Sequence, residues 1–115
     1  MPRRGKDRAL RSAVWGGYEI VVRFFLDHVT QNGKDQALAY AAERGKEVLV
    51  QLLLEGASQK VIGRALRAAA NEGHVAAVQL LLGGAAREDV DLSIEVAHWG
   101  GHTAVVQLFL DHDYT

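Results

Sequence analysis

The chain has 115 residues, 49% hydrophobic and 23% charged, a balance that suits one folded domain and excludes a disordered chain. It contains no cysteine, which excludes disulfides and thiolate metal sites. The net charge of −1 is unevenly spread: residues 1–12 hold five bases and one acid, and residues 88–115 hold six acids with no lysine or arginine.

The start, Met-Pro-Arg-Arg-Gly-Lys-Asp-Arg, has the positive charge of a secretory leader but no apolar stretch behind it. Apolar runs such as Val48–Val50 and Leu52–Leu54 are interrupted well short of the ~20 residues a membrane span needs. A cytosolic or nuclear location is expected, with no membrane as partner. Residues 1–7 are read as a basic segment expected to fray, and residues 8–115 as the folded domain. Five bases on such a segment offer only salt-sensitive attraction to nucleic acid, and the rest of the chain is acidic, so no nucleic-acid partner is expected.

The first unit, about residues 9–36, introduces a pattern that then recurs without insertion or deletion. Gly17, Gly45, Gly73 and Gly101 fall 28 residues apart. Ala13, Ala41, Ala69 and Ala97 form a second identical column, Val22, Val50, Val78 and Val106 a third, and Leu26, Leu54, Leu82 and Leu110 a fourth. Leu10, Leu38, Leu66 and Ile94 make a column that is aliphatic throughout. Self-similarity at a fixed period of this size marks stacked repeats, in which no unit buries its apolar face alone.

The second unit, about 37–64, shows the local logic most clearly. Residues 37–44 are rich in helix formers, and Leu38, Ala41 and Ala42 repeat at i, i+3 and i+4 on one face. Gly45 stands where a helix end needs positive φ. A second helix is expected over 47–55, apolar around most of its circumference and hence nearly buried. Gly56 and Ala57 end it, and Ser58 is placed to N-cap the next helix, as Thr30 is in the preceding linker.

The third unit, about 65–92, repeats this plan, but its linker has Ala86 in the Thr30/Ser58 column, so capping is expected to pass to Glu88 or Asp89. The fourth, about 93–115, ends with Val106, Phe109 and Leu110 on a helix that no fifth unit follows. Basic and acidic ends of the sequence become basic and acidic tips of the stack.

Residues 65–85, Ala-Leu-Arg-Ala-Ala-Ala-Asn-Glu-Gly-His-Val-Ala-Ala-Val-Gln-Leu-Leu-Leu-Gly-Gly-Ala, resemble an ankyrin repeat. Residues 47–57 and 101–110 fit the same pattern, and the likeness extends over residues 8–112. The family's Thr-Pro-Leu-His start is missing, its proline column being Ala9, Ala37, Ala65 and Ser93. The period is also shorter than the family's ~33 residues, with the loss in the linker that normally forms projecting β-hairpin fingers. Val61 continues the helical spacing into Ala65 and Ala69, so the linker is expected to extend the first helix backwards. The resemblance implies an all-α, ankyrin-like solenoid of four stacked helix-turn-helix repeats without full fingers.

It also implies a concave face at the two positions before each turn glycine: Trp15-Gly16, Glu43-Arg44, Asn71-Glu72 and Trp99-Gly100. Arg11, Tyr40, Arg67 and Glu95 are candidates for the same surface. Two positions of an otherwise polar column hold both tryptophans of the chain, and exposed tryptophan is a favoured binding anchor. The competing reading lays each indole over its own Gly-Gly turn.

The resemblance gives His74 and His102 the task of bracing the turns. His98 and His102 have a helical metal spacing, but Trp99-Gly100-Gly101 interrupts it and no third ligand is near in sequence, so neither metal nor cofactor is expected. His28 and His112 share a column at a helix C-terminus, where positive charge is favourable. Ser12, Ser58 and Ser93 sit in no nucleophile elbow, and the glycines serve as turns instead of a phosphate loop. The expectation is a non-enzymatic protein–protein interaction module. The alternatives are self-assembly into a homo-oligomer through Val106, Phe109 and Leu110, or a repeat segment of a longer protein.

Overall fold

The computed structural model describes residues 3–113, and all the regular structure among them is helical. Helices α1 (Arg3–Gly16), α3 (Gln31–Glu43), α5 (Gln59–Glu72) and α7 (Arg87–Trp99) begin at intervals of 28 residues. So do α2 (Glu19–Phe25), α4 (Glu47–Leu54), α6 (Val75–Leu82) and α8 (Thr103–Asp113), and α2 continues into a 3-10 turn over Leu26–His28. No helix among the described residues is long and apolar enough to cross a membrane.

Each unit is an antiparallel-type pair closed by one turn chemistry. Gly17, Gly45, Gly73 and Gly101 have φ of +74°, +68°, +75° and +73°. The residue after each glycine donates its amide back to the invariant alanine: Tyr18 to Ala13 at 2.9 Å, Lys46 to Ala41 at 2.9 Å, His74 to Ala69 at 3.0 Å and His102 to Ala97 at 2.9 Å. The glycine amide bonds the next carbonyl on, as from Gly45 to Ala42 at 3.1 Å. This is the Schellman arrangement, repeated in all four copies.

The first helices pack side by side in chain order, α1 on α3, α3 on α5 and α5 on α7, and the second helices form a parallel layer. The result is elongated, 48 × 23 × 21 Å. Leu10, Leu38 and Leu66 and the four column alanines are fully or almost fully buried between the layers. Alanine at that column lets neighbouring backbones approach, and the aliphatic side chains of α2, α4, α6 and α8 fill what remains.

Of the basic segment 1–7, the residues from Arg3 onward fall within α1; Met1 and Pro2 lie outside the described residues. Three expectations need correction. Helix α4 is not nearly buried: Val48 is exposed and Leu52 and Leu54 are half-buried, since the second layer is covered on one side only. Capping of α7 does not pass to Glu88 or Asp89; Ala86 keeps the cap position with φ −70° and ψ 152° and supplies no side-chain bond. The two acids lie in the first turn instead, where they face the positive end of the helix dipole. Finally, Phe109 is turned inward and only 1% exposed, so it does not share an outer face with Val106, which is half-buried, and Leu110, which is exposed. Phe109 occupies the column of Leu53 and Leu81, both of which are buried as well.

Thr30 and Ser58 do cap their helices, accepting the amides of Gly33 at 2.9 Å and Val61 at 3.3 Å. Helix α5 indeed runs back through the linker to Gln59. Ser93, in the column of Ala9, Ala37 and Ala65, is buried and donates its hydroxyl to the carbonyl of Asp89 at 2.7 Å.

Candidate interaction face

The side of the first helices turned away from the second layer carries a solvent-facing stripe. On α1 it shows Arg8, Arg11 and Trp15; on α5, Arg64, Arg67 and Asn71; on α7, Leu92, Glu95 and Trp99, each set at i, i+3 and i+7. This spacing returns to one side of a helix every two turns. On α3 the same positions are Gln36, Ala39 and Glu43, with Tyr40 beside them.

Both tryptophans stand out of the surface, Trp15 at 56% and Trp99 at 81% exposed. Tyr18 lies against Gly16 and His102 against Gly100, and neither indole is among the atoms nearest the turn glycines Gly17 and Gly101. Trp15 instead carries the Arg44 guanidinium over its ring at 4.0 Å, and Arg11 lies 5.8 Å from the Tyr40 ring centre. Trp99 lies beside His98, with ring centres 5.8 Å apart and planes at 65°.

The face thus brings together Arg11, Trp15, Tyr40, Glu43 and Arg44 in two adjacent pairs of helices. An open groove of about 390 Å³ runs between them, lined by Arg11, Gln36, Ala39, Tyr40, Glu43 and Arg64. Beside it a second hollow of about 250 Å³ is lined by Arg11, Ser12, Trp15 and Tyr40. Arg67 is held apart by an ion pair with Asp89 at 3.5 Å. Asn71 reaches its neighbour Glu72 at 3.4 Å. Glu95 and Trp99 belong to the far end of the row, so the two tryptophans do not form one cluster.

His74 and His102 lie against the turn glycines Gly45 and Gly73. The His102 Nε2–H donates to the carbonyl of Asn71 at 2.9 Å, which fixes the proton on that nitrogen because a carbonyl only accepts. Among the described residues no group of three histidine or carboxylate side chains is placed to hold a metal ion.

Two features escaped the sequence reading. One is the share of Gln36, Ala39 and Arg64 in the groove. The other is an apolar surface on the first unit, where Ile20 is 84%, Phe24 67% and Val21 41% exposed, with Tyr18 beside them. Column alignment held the signal: Val21 matches Leu49, Ala77 and Val105, which are all buried and lie in units that follow another helix pair, whereas α1–α2 has no preceding pair among the described residues. Compared with protein-family models, curated proteins and solved structures, the chain matches none.

Proposed function

We propose that this chain is a non-enzymatic protein–protein interaction module of the cytosol or nucleus. In this reading it is an ankyrin-like solenoid without β-hairpin fingers, and its row of first helices receives a protein partner. The observation that carries the reading is the exposure of Trp15 and Trp99, at 56% and 81%, in a column otherwise held by the exposed polar residues Glu43 and Asn71. An indole so far out of the core leaves a large apolar surface in water, and such side chains are the usual anchors of interfaces. Tyr40, Glu43, Arg44, Arg67, Asn71, Glu72 and Glu95 supply the polar surroundings.

The test is affinity capture with wild type and the Trp15→Ala/Trp99→Ala variant in parallel. A partner retained by the first and lost by the second supports the reading. Identical protein sets on both baits contradict it.

A second reading, end-to-end self-assembly, is favoured by the uncovered apolar surface of Ile20, Val21 and Phe24. A second copy docked end to end, in the order in which α2, α4, α6 and α8 pack on one another, would set α8 against that surface, aided by the opposite charge of the two ends. Light scattering decides this reading: mass growing with concentration at low salt supports it, and a monomer throughout rejects it.

A further inference from the structure

The groove between α1, α3 and α5 exists because the second unit departs from the repeat. The column Arg11, Ala39, Arg67 and Glu95 is long and charged except at Ala39. The adjoining column Ser12, Tyr40, Ala68 and Val96 is small or aliphatic except at Tyr40. Ala39 therefore leaves a floor where its neighbours would raise a wall, with Arg11 on one side and Arg64 on the other. Tyr40 stands at the edge as the ring shared with the second hollow, which leads to Trp15.

The charges are arranged for a ligand. Arg67 is already paired with Asp89, whereas neither Arg11 nor Arg64 has a carboxylate partner among the described residues. Arg11 leans toward the Tyr40 ring and the Arg44 guanidinium sits over Trp15, so the aromatic surfaces are pre-set by cations that remain exposed. A guanidinium offers a planar fork of donors matched to a carboxylate. Glu43 lines the same groove, and Glu72 and Glu95 follow along the face. A continuous polyphosphate chain laid on this row would meet all three carboxylates, whereas a short peptide with one acid between Arg11 and Arg64 would have Glu43 alone beside it.

We propose that the groove seats the carboxylate of an acidic peptide between Arg11 and Arg64, with a neighbouring apolar side chain of that peptide against Tyr40 and Trp15. This rests on the first-helix row being the binding face, and it adds the chemistry of what binds there. The specificity comes from Ala39 and Tyr40, the two residues that break the repeat.

The experiment is an amide-resolved NMR titration of the whole chain with acetyl-Ser-Phe-Glu-Ser-amide, acetyl-Ser-Phe-Gln-Ser-amide and octathymidylate. The expected result is a saturable shift at Ala39, Tyr40 and Glu43 with the Glu peptide. Binding weakens about tenfold for the Gln peptide, and equally for Arg11→Gln or Arg64→Gln. Arg23→Gln, which removes an exposed arginine paired with Glu19 at 3.0 Å on α2, leaves the affinity unchanged. Equal binding of the two peptides at Trp15 and Tyr40 overturns the carboxylate assignment and leaves the face standing. Shifts confined to the second-helix layer overturn both. No saturable shift, or tighter binding of octathymidylate, overturns the proposal.

Discussion

His102 holds Asn71 across the boundary between two units: its Nε2–H donates to the Asn71 carbonyl at 2.9 Å while the ring lies against Gly73. His74 lies in the same way against Gly45, and the Lys46 side chain runs beside Gly17. Gly17, Gly45 and Gly73 are thus each the floor for a side chain of the next unit, which couples the local turn to the packing of neighbours.

Gly73→Ala therefore meets two penalties. Its φ of +75° is strained for any residue with a Cβ, and that Cβ would displace the His102 ring. The conformation alone costs about 1–3 kcal/mol. Gly56→Ala, at φ +80° with open space around it, meets only the conformational cost. Urea denaturation of the two variants should show Gly73→Ala clearly less stable than Gly56→Ala; equal losses would mean that the histidine contact contributes nothing.

Removing the imidazole tests the same link from the other side. His102→Ala breaks one hydrogen bond between units and is expected to lower stability by about 1 kcal/mol. Hydrogen exchange should quicken in α7 and α8 more than in α1 and α2. Uniform quickening along the chain would contradict a local clasp.

The N-cap positions offer a gain. Ala86 has φ −70° and ψ 152°, close to Thr30 at −74° and 160° and Ser58 at −74° and 159°. A hydroxyl placed there already has the right backbone. Ala86→Ser should stabilise the protein by about 1 kcal/mol, and Thr30→Ala should lose a similar amount. Thermal melts check both signs.

The last helix separates inner from outer residues. Phe109→Ala empties a buried site and is expected to cost about 3–5 kcal/mol. Leu110→Ala, one residue on and exposed, should change stability by less than about 1 kcal/mol. The reverse order in denaturant titration would place Phe109 on the surface.

Much of this architecture was legible in the residues. The four-glycine register marks the turns, and Leu38-Ala41-Ala42 marks the buried side of the first helix. Ser58 and Val61 mark where that helix begins. What the repeat could not show is what breaks it. Ala39 and Tyr40 matter through neighbours in units on either side, and such a relation appears only once α1, α3 and α5 are laid together. Val48 and Phe109 went astray for a related reason: an apolar residue on a two-layer stack faces inward or outward according to its column, and hydrophobicity alone does not tell the columns apart. The fate of Asp89 was equally hidden. It lies over Gly63 and pairs with Arg67, a contact between units that no local capping rule contains.

The most direct measurement is calorimetric titration of the captured partner against three forms of this chain: wild type, Trp15→Ala/Trp99→Ala, and Gln51→Ala/Gln79→Ala on the exposed side of the second helices. The account predicts unchanged far-UV circular dichroism in all three and a loss of at least about 2 kcal/mol of binding free energy for the tryptophan pair alone. Full affinity in the tryptophan variant, or a loss confined to the glutamine variant, would contradict it.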